Sequence, residues 1–435
     1  MSSRKMLTRK ILTPIWTFVL LLASQVPGNC QLETPVPLEE PPIRYSDTPD
    51  NNRVSQWAAK LNSGQSKLEE DPEYGYLPAV LQALEIPVDS QTLVYSKTSL
   101  QIRHISPRNP RAIYFNDDTY LGWVRGSSLM ELSTADPKLG AAFYLLDATG
   151  TRPRIKRAGY DCLGCHATSM TLNVPGHAMR SVMANGDGRV ETRHKSFLTE
   201  LKTPFEQRFG GWYVTGQLGN QKHLGNAFVR GETIDLSRPT NIDRLEYEFD
   251  TRRYLKPHSD VIALMVLSHQ IELHNKFTKA DFQIRRLQHD EESGKLKLLP
   301  AERTLLIQKL AESVVETMLF CDEQIWSEPI QGHVDFQKQF AASSQRDSQG
   351  RSLRDFDLQT RLFRYPCSYL IYSAAFDDLT LELRQEILRQ LGSALHGSAD
   401  KPSLVHISPE TQKAIYEILL ETHPEFKQSE VDRVK

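Results

Sequence analysis

Ala112-Ile-Tyr-Phe-Asn-Asp-Asp-Thr-Tyr-Leu-Gly-Trp-Val124 sets two β-branched and aromatic runs on either side of a short polar stretch. Runs of that composition favour strands, and Asn-Asp-Asp favours a turn, so the segment predicts a β-hairpin. Asp117 and Asp118 also have the look of a catalytic carboxylate pair, but their place between two strands makes them turn residues. Similar runs at 92–95, 129–132 and 141–146, separated by turn formers such as Asp136-Pro137, extend the hairpin into a small antiparallel sheet.

Beyond residue 260 the period changes. Residues 261–267 are nearly all apolar, and the pattern continues in helical register through Ile271, Phe277 and Leu287, which predicts a long buried helix. Further helices are expected at 301–320, at 380–395 and from Ser408, where a serine cap precedes Pro409 and Glu410. The fold class is therefore α+β. A small antiparallel strand-rich N-terminal part leads through a loop-rich centre to a mainly helical C-terminal half.

The ends of the chain carry other signals. Arg4, Lys5, Arg9 and Lys10 precede an apolar run over 11–23, and Gly28 and Cys30 supply small residues before Gln31. This order predicts a signal peptide over 1–30 and an exported, periplasmic location, with an uncleaved membrane anchor as the alternative. Five prolines between 35 and 49 predict an extended tether over 31–55. The remaining divisions are a strand-rich region at 56–155, a loop-rich central region at 156–230 and a helical region at 231–435. A formal net charge of -2 over 435 residues gives no electrostatic case for a nucleic-acid partner.

The chemistry is concentrated at Cys162-Leu-Gly-Cys-His166. In this Cys-x-x-Cys-His pattern two thiols three positions apart can each form a thioether to a haem vinyl group, and the adjacent histidine meets the iron. One covalent haem c is expected, bound through Cys162 and Cys165, with His166 as the proximal iron ligand. A zinc site would need two further ligands. A thioredoxin-like pair would need an apolar strand before it, whereas 156–161 is basic and polar. Cys321 and Cys367 remain as either a disulfide or two buried thiols.

Those five residues match the attachment motif of c-type cytochromes. From about residue 88 to the C-terminus the chain also resembles a family of uncharacterised exported bacterial proteins with a single cytochrome-c-like motif. The resemblance is carried by Val174-Pro-Gly-His-Ala-Met-Arg-Ser, by Pro204-Phe-Glu-Gln-Arg-Phe-Gly-Gly-Trp-Tyr-Val-Thr-Gly, by His223-Leu-Gly-Asn and by the Arg-rich stretch from Gly350 to Cys367. It implies a haem protein of electron-transfer type and no particular substrate.

The opposite face of the iron decides between a carrier and an enzyme. Met179, Met183, His177, His194 and His223 lie in the loop-rich centre, and His223 is preferred because glycines surround it. Met170, four residues past His166, stays on the proximal side. On the long helix, Met265 and His269 share a face, whereas His269 and His274 are too far apart around the helix to share a metal. Five arginines from Arg346 to Arg364 could meet haem propionates, but interleaved Asp347, Asp355 and Asp357 favour a self-neutralising network. The functional expectation is a monohaem electron-transfer protein with a redox partner. The alternatives are a peroxidase- or oxidase-like enzyme with an open iron position, and a haem-based sensor or binding module.

Overall fold

The computed structural model describes residues 35–150, 152–236, 240–396 and 405–434, so the expected signal peptide lies outside the described residues. Six strands follow one another as β1 (Thr92–Val94), β2 (Arg111–Phe115), β3 (Thr119–Trp123), β4 (Leu129–Asp136), β5 (Gly140–Asp147) and β6 (Arg154–Ala158). They pair antiparallel in sequence order, and β7 (Trp212–Tyr213) joins at β1 to complete a seven-stranded sheet. The hairpin at 116–119 forms as expected. The Asn116 side-chain oxygen accepts the N–H groups of Asp118 (3.2 Å) and Thr119 (2.9 Å), an Asx turn.

One sheet face carries Ala112, Tyr114, Leu121, Trp123, Met130, Ala142, Tyr144 and Leu146. It packs into a continuous core with Val54, Trp57, Ala58 and Leu61 of helix α1 (Arg53–Asn62). Two expectations are corrected here. Residues 35–52 are no loose tether: Val36, Ile43 and Tyr45 are buried in that core, and the Tyr45 hydroxyl donates to the Ala141 carbonyl at 2.9 Å. The prolines shape turns, and enough apolar side chains lie between them to dock. The basic lead-in to the cysteine motif is strand β6, because Ile155 alone points into the core while Arg154 and Lys156 stay exposed on an edge.

A short helix α2 (Leu77–Ala83) precedes the sheet, and helix α3 (Tyr160–His166) follows β6 after Gly159. The C-terminal half is helical as expected. Helix α4 (Val261–Glu292) is capped by Asp260, whose carboxylate accepts the Ala263 N–H at 2.9 Å. It is followed by α5 (Pro300–Met318), α6 (Val334–Ala342), α7 (Ala374–Asp377), α8 (Leu381–Leu395), α9 (Pro409–Thr422) and α10 (Pro424–Val434). Ser408 caps α9 with Pro409 in its first turn. Among the described residues no helix is long and apolar enough to cross a membrane.

Candidate haem cavity

The second sheet face is the floor of a cavity of about 430 Å³. Strand alternation brings two cross-strand rows to this face. One row is Ile113–Gly122–Glu131–Leu145 and the other is Tyr120–Ser133–Phe143. Helix α4 contributes Leu267 and Ile271, one turn apart, and the chain from His177 to Arg180 closes another side. Cys162, Cys165 and His166 all line this same space, which lies within the usual size range of cofactor sites.

The short helix α3 places the motif. Gly159 lets the chain leave β6, and one and a half turns then bring Cys162 to a half-buried position, Cys165 to an exposed one and His166 to the helix end. Gly176 clamps that end from both sides. Its N–H donates to the His166 carbonyl at 2.8 Å, and its own carbonyl lies 2.9 Å from His166 Nδ1. Accepting that bond fixes Nδ1 as the protonated nitrogen and leaves Nε2 unprotonated, with no partner among the described residues. Burial also lowers the affinity of His166 for a second proton, so the ring is neutral, as a metal ligand must be.

The clamp is itself held. Ala141 N–H donates to the Pro175 carbonyl at 3.1 Å, and Asn275 of α4 accepts the His177 N–H at 3.0 Å and donates to its carbonyl at 2.7 Å. A β-carbon on Gly176 would lie 2.1 Å from Asn275 Oδ1, so only glycine permits this approach.

Two arginines line the cavity. Arg111 lies over Gly122, where a β-carbon would come within 2.2 Å of its guanidinium, and pairs with Glu131, which also accepts the Ser99 hydroxyl at 2.8 Å. Arg180 has no ion-pair partner among the described residues and therefore offers an uncommitted cation to a carboxylate. Desolvation, followed by Glu131 and Asp161, pushes the Cys162 thiol up to about 11. A redox-active thiol is shifted the other way. A strand does precede the pair, contrary to the expectation from the basic lead-in.

Of the residues weighed for the far side of the iron, Met179 and His177 line the cavity and Met183, His194 and His223 do not. The preference for His223 is corrected. Its Nε2 faces the Thr240 carbonyl at 3.3 Å and its ring packs against Phe209, because the surrounding glycines fold that loop onto itself. Met265 and His269 also lie outside, with His269 Nε2 bonded to the Ser368 hydroxyl at 2.8 Å and its ring stacked on Phe320. Met170 lines the cavity close to the motif.

Among the described residues, three of the five arginines of 346–364 form ion pairs, two of them with the interleaved aspartates. Arg346 meets Asp355 at 3.0 Å, Arg351 meets Asp347 at 2.7 Å and Glu417 at 2.8 Å, and Arg354 meets Asp117. Cys321 and Cys367 are free thiols. Arg111, Tyr120, Glu131, Ser133, Phe143 and Arg180 escaped the sequence reading, which weighed His274 only as a metal ligand on the long helix. The strand alternation that marks the floor was visible, but not which face would be capped by the motif. No family model, no curated protein and no solved structure matches this chain.

Proposed function

We propose that this chain is an exported monohaem c-type cytochrome that passes single electrons to or from a redox partner protein outside the cytoplasm. The observation that carries the reading is His166. Its Nδ1 is committed to the Gly176 carbonyl, and its free Nε2 belongs to a ring lining the cavity that both motif cysteines share.

The residues present fit a haem. Cys162 and Cys165 supply the two thioether sulfurs, His166 an imidazole, and Arg180 a cation for a propionate. When bound, the haem supplies one-electron redox chemistry at iron, whose potential follows its axial ligands and burial. The chain's own work is to hold His166 neutral and oriented through Gly176, and to exclude water with Leu267, Ile271 and Phe143. Met179, buried against the cavity, would offer a thioether to the iron. His177 Nε2 is already engaged at 2.6 Å by the Ser133 hydroxyl, which leaves only Nδ1 of that ring.

The test is spectroscopic. Haem in the purified protein is expected to resist extraction into acidified solvent and to give a low-spin reduced spectrum that carbon monoxide leaves unchanged. Replacing Cys162 and Cys165 by alanine is expected to make the haem extractable. Freely extractable haem in the unaltered protein overturns the covalent reading. A high-spin spectrum that shifts with carbon monoxide replaces the carrier by the peroxidase- or oxidase-like enzyme or the sensor.

A further inference from the structure

Beside the haem cavity, on the same face of the sheet and against helix α4, lies a second, much smaller space of about 40 Å³, lined by His177, His274, Asp136, Asp281 and Asp378. Both histidines spend one ring nitrogen elsewhere. His177 Nε2 meets the Ser133 hydroxyl, and His274 Nδ1 meets the Tyr120 hydroxyl at 2.9 Å. The other two nitrogens, His177 Nδ1 and His274 Nε2, are buried without a partner among the described residues. A buried polar nitrogen left unpaired costs about 1–3 kcal/mol, and a water needs roughly 10–15 Å³ of accessible space with two or more polar partners. The space therefore has both the room and the polar lining to hold water.

This small space connects two larger ones. Tyr120 and Ser133 line the haem cavity. On the other side, Asp378, Ala135 and Pro137 line both the small space and an open cleft of about 530 Å³ beside the 116–119 hairpin. Asp136 is fully occupied, accepting from Asn51, Asn52, Lys138 and Leu139, and Asp281 accepts the Thr380 N–H and pairs with Arg285. The Asp378 carboxylate has no hydrogen-bond partner among the described residues, so it is the acid free to exchange a proton.

We propose that Tyr120, His274, waters in the small space and Asp378 form a proton path between the haem cavity and the cleft. The path rests on the haem reading given above. One electron taken from a reduced flavin donor places one additional negative charge in a low-dielectric cavity, and one proton from solvent compensates it. Asp378 gives its proton to the water chain and is reprotonated from the cleft. The chain protonates His274 Nε2, Nδ1 releases its proton to the Tyr120 oxygen, and the Tyr120 O–H would release its own proton into the cavity that it lines. Each step breaks one O–H or N–H bond and forms another, and no further oxidant or reductant is needed.

Two measurements test it. In a crystal structure of the holoprotein, ordered water is expected within hydrogen-bond distance of His274 Nε2 and His177 Nδ1; a dry cavity overturns the path whether or not haem is present. In the holoprotein photoreduced by a soluble flavin, a pH-indicator dye is expected to report proton uptake. His274→Leu and Asp378→Asn should slow that uptake by roughly 100-fold, the scale of a lost acid–base group, while the optical spectrum stays unchanged. No uptake in the unaltered protein, or equal rates in all three, overturns the path. Extractable haem would instead overturn the haem reading, so the two failures are distinguishable.

Discussion

At the level of single residues, the candidate site depends on Gly176 as much as on the cysteines. Gly176 brings its main chain against His166 only because no side chain intervenes between it and Asn275. Gly176→Ala pushes a methyl group into Asn275 and disturbs the pair of bonds that hold His177. A cost of about 1–3 kcal/mol in stability follows, as for overpacking elsewhere. Thermal unfolding is the measure of that cost, and the reduced spectrum should shift in the same variant as His166 loses its fixed orientation. An unaltered spectrum with lowered stability would limit Gly176 to packing. Cys162, Cys165 and His166 were legible in the sequence because their chemistry depends on fixed spacing. Arg111 and Arg180 were not, because their place at the cavity depends on contacts between residues tens of positions apart.

At the level of elements, alternation made most of the sheet readable. The aromatic and β-branched runs at 92–95, 112–115, 120–124, 129–132 and 141–146 all became strands, within a few residues at their ends. Strand β6 was missed because a basic edge strand that buries only Ile155 has no apolar run to betray it. The β2–β3 hairpin adds a titration. Asp118 accepts the Ala375 N–H at 3.1 Å, and burial, reinforced by the neighbouring Asp117 charge, pushes its carboxyl up to about 6. A raised carboxyl pKa means that the folded chain holds this proton more tightly than the unfolded chain does. The associated stability is therefore complete below roughly pH 4, the unfolded value, and is lost as pH rises through about 6. Asp118→Asn keeps an acceptor for the Ala375 N–H and removes the charge. Denaturant titrations across that window should show the unaltered protein losing on the order of 1 kcal/mol more than the variant. Parallel curves would show that Asp118 is solvated in the folded protein.

At the level of the whole molecule, the sheet separates two interiors. One face carries the apolar core closed by residues 35–62, and the other carries the cavity closed by α3, α4 and the chain around Met179. The N-terminal segment contacts helix α4, whose Arg285 and Arg286 donate to the Pro42 and Pro35 carbonyls, and Arg157 ties β6 to it, donating to the Thr48 carbonyl at 2.7 Å and to the Tyr45 carbonyl at 2.5 Å. Strand β6 leads directly into the cysteine motif, so loosening the segment should loosen the motif. Tyr45 is the place to test this coupling, being fully buried, hydrogen-bonded to Ala141 and covered by the Arg157 guanidinium 5.0 Å from its ring centre. Tyr45→Ala empties a large core site at a cost of about 3–5 kcal/mol, whereas Tyr45→Phe removes one buried hydrogen bond at about 1 kcal/mol. Chemical denaturation should rank the variants in that order, and hydrogen exchange at 154–166 should rise with the loss. A fast-exchanging motif in the alanine variant and a protected one in the phenylalanine variant would place the coupling in core packing. Equal protection in both would mean that β6 is held in place by β5 alone.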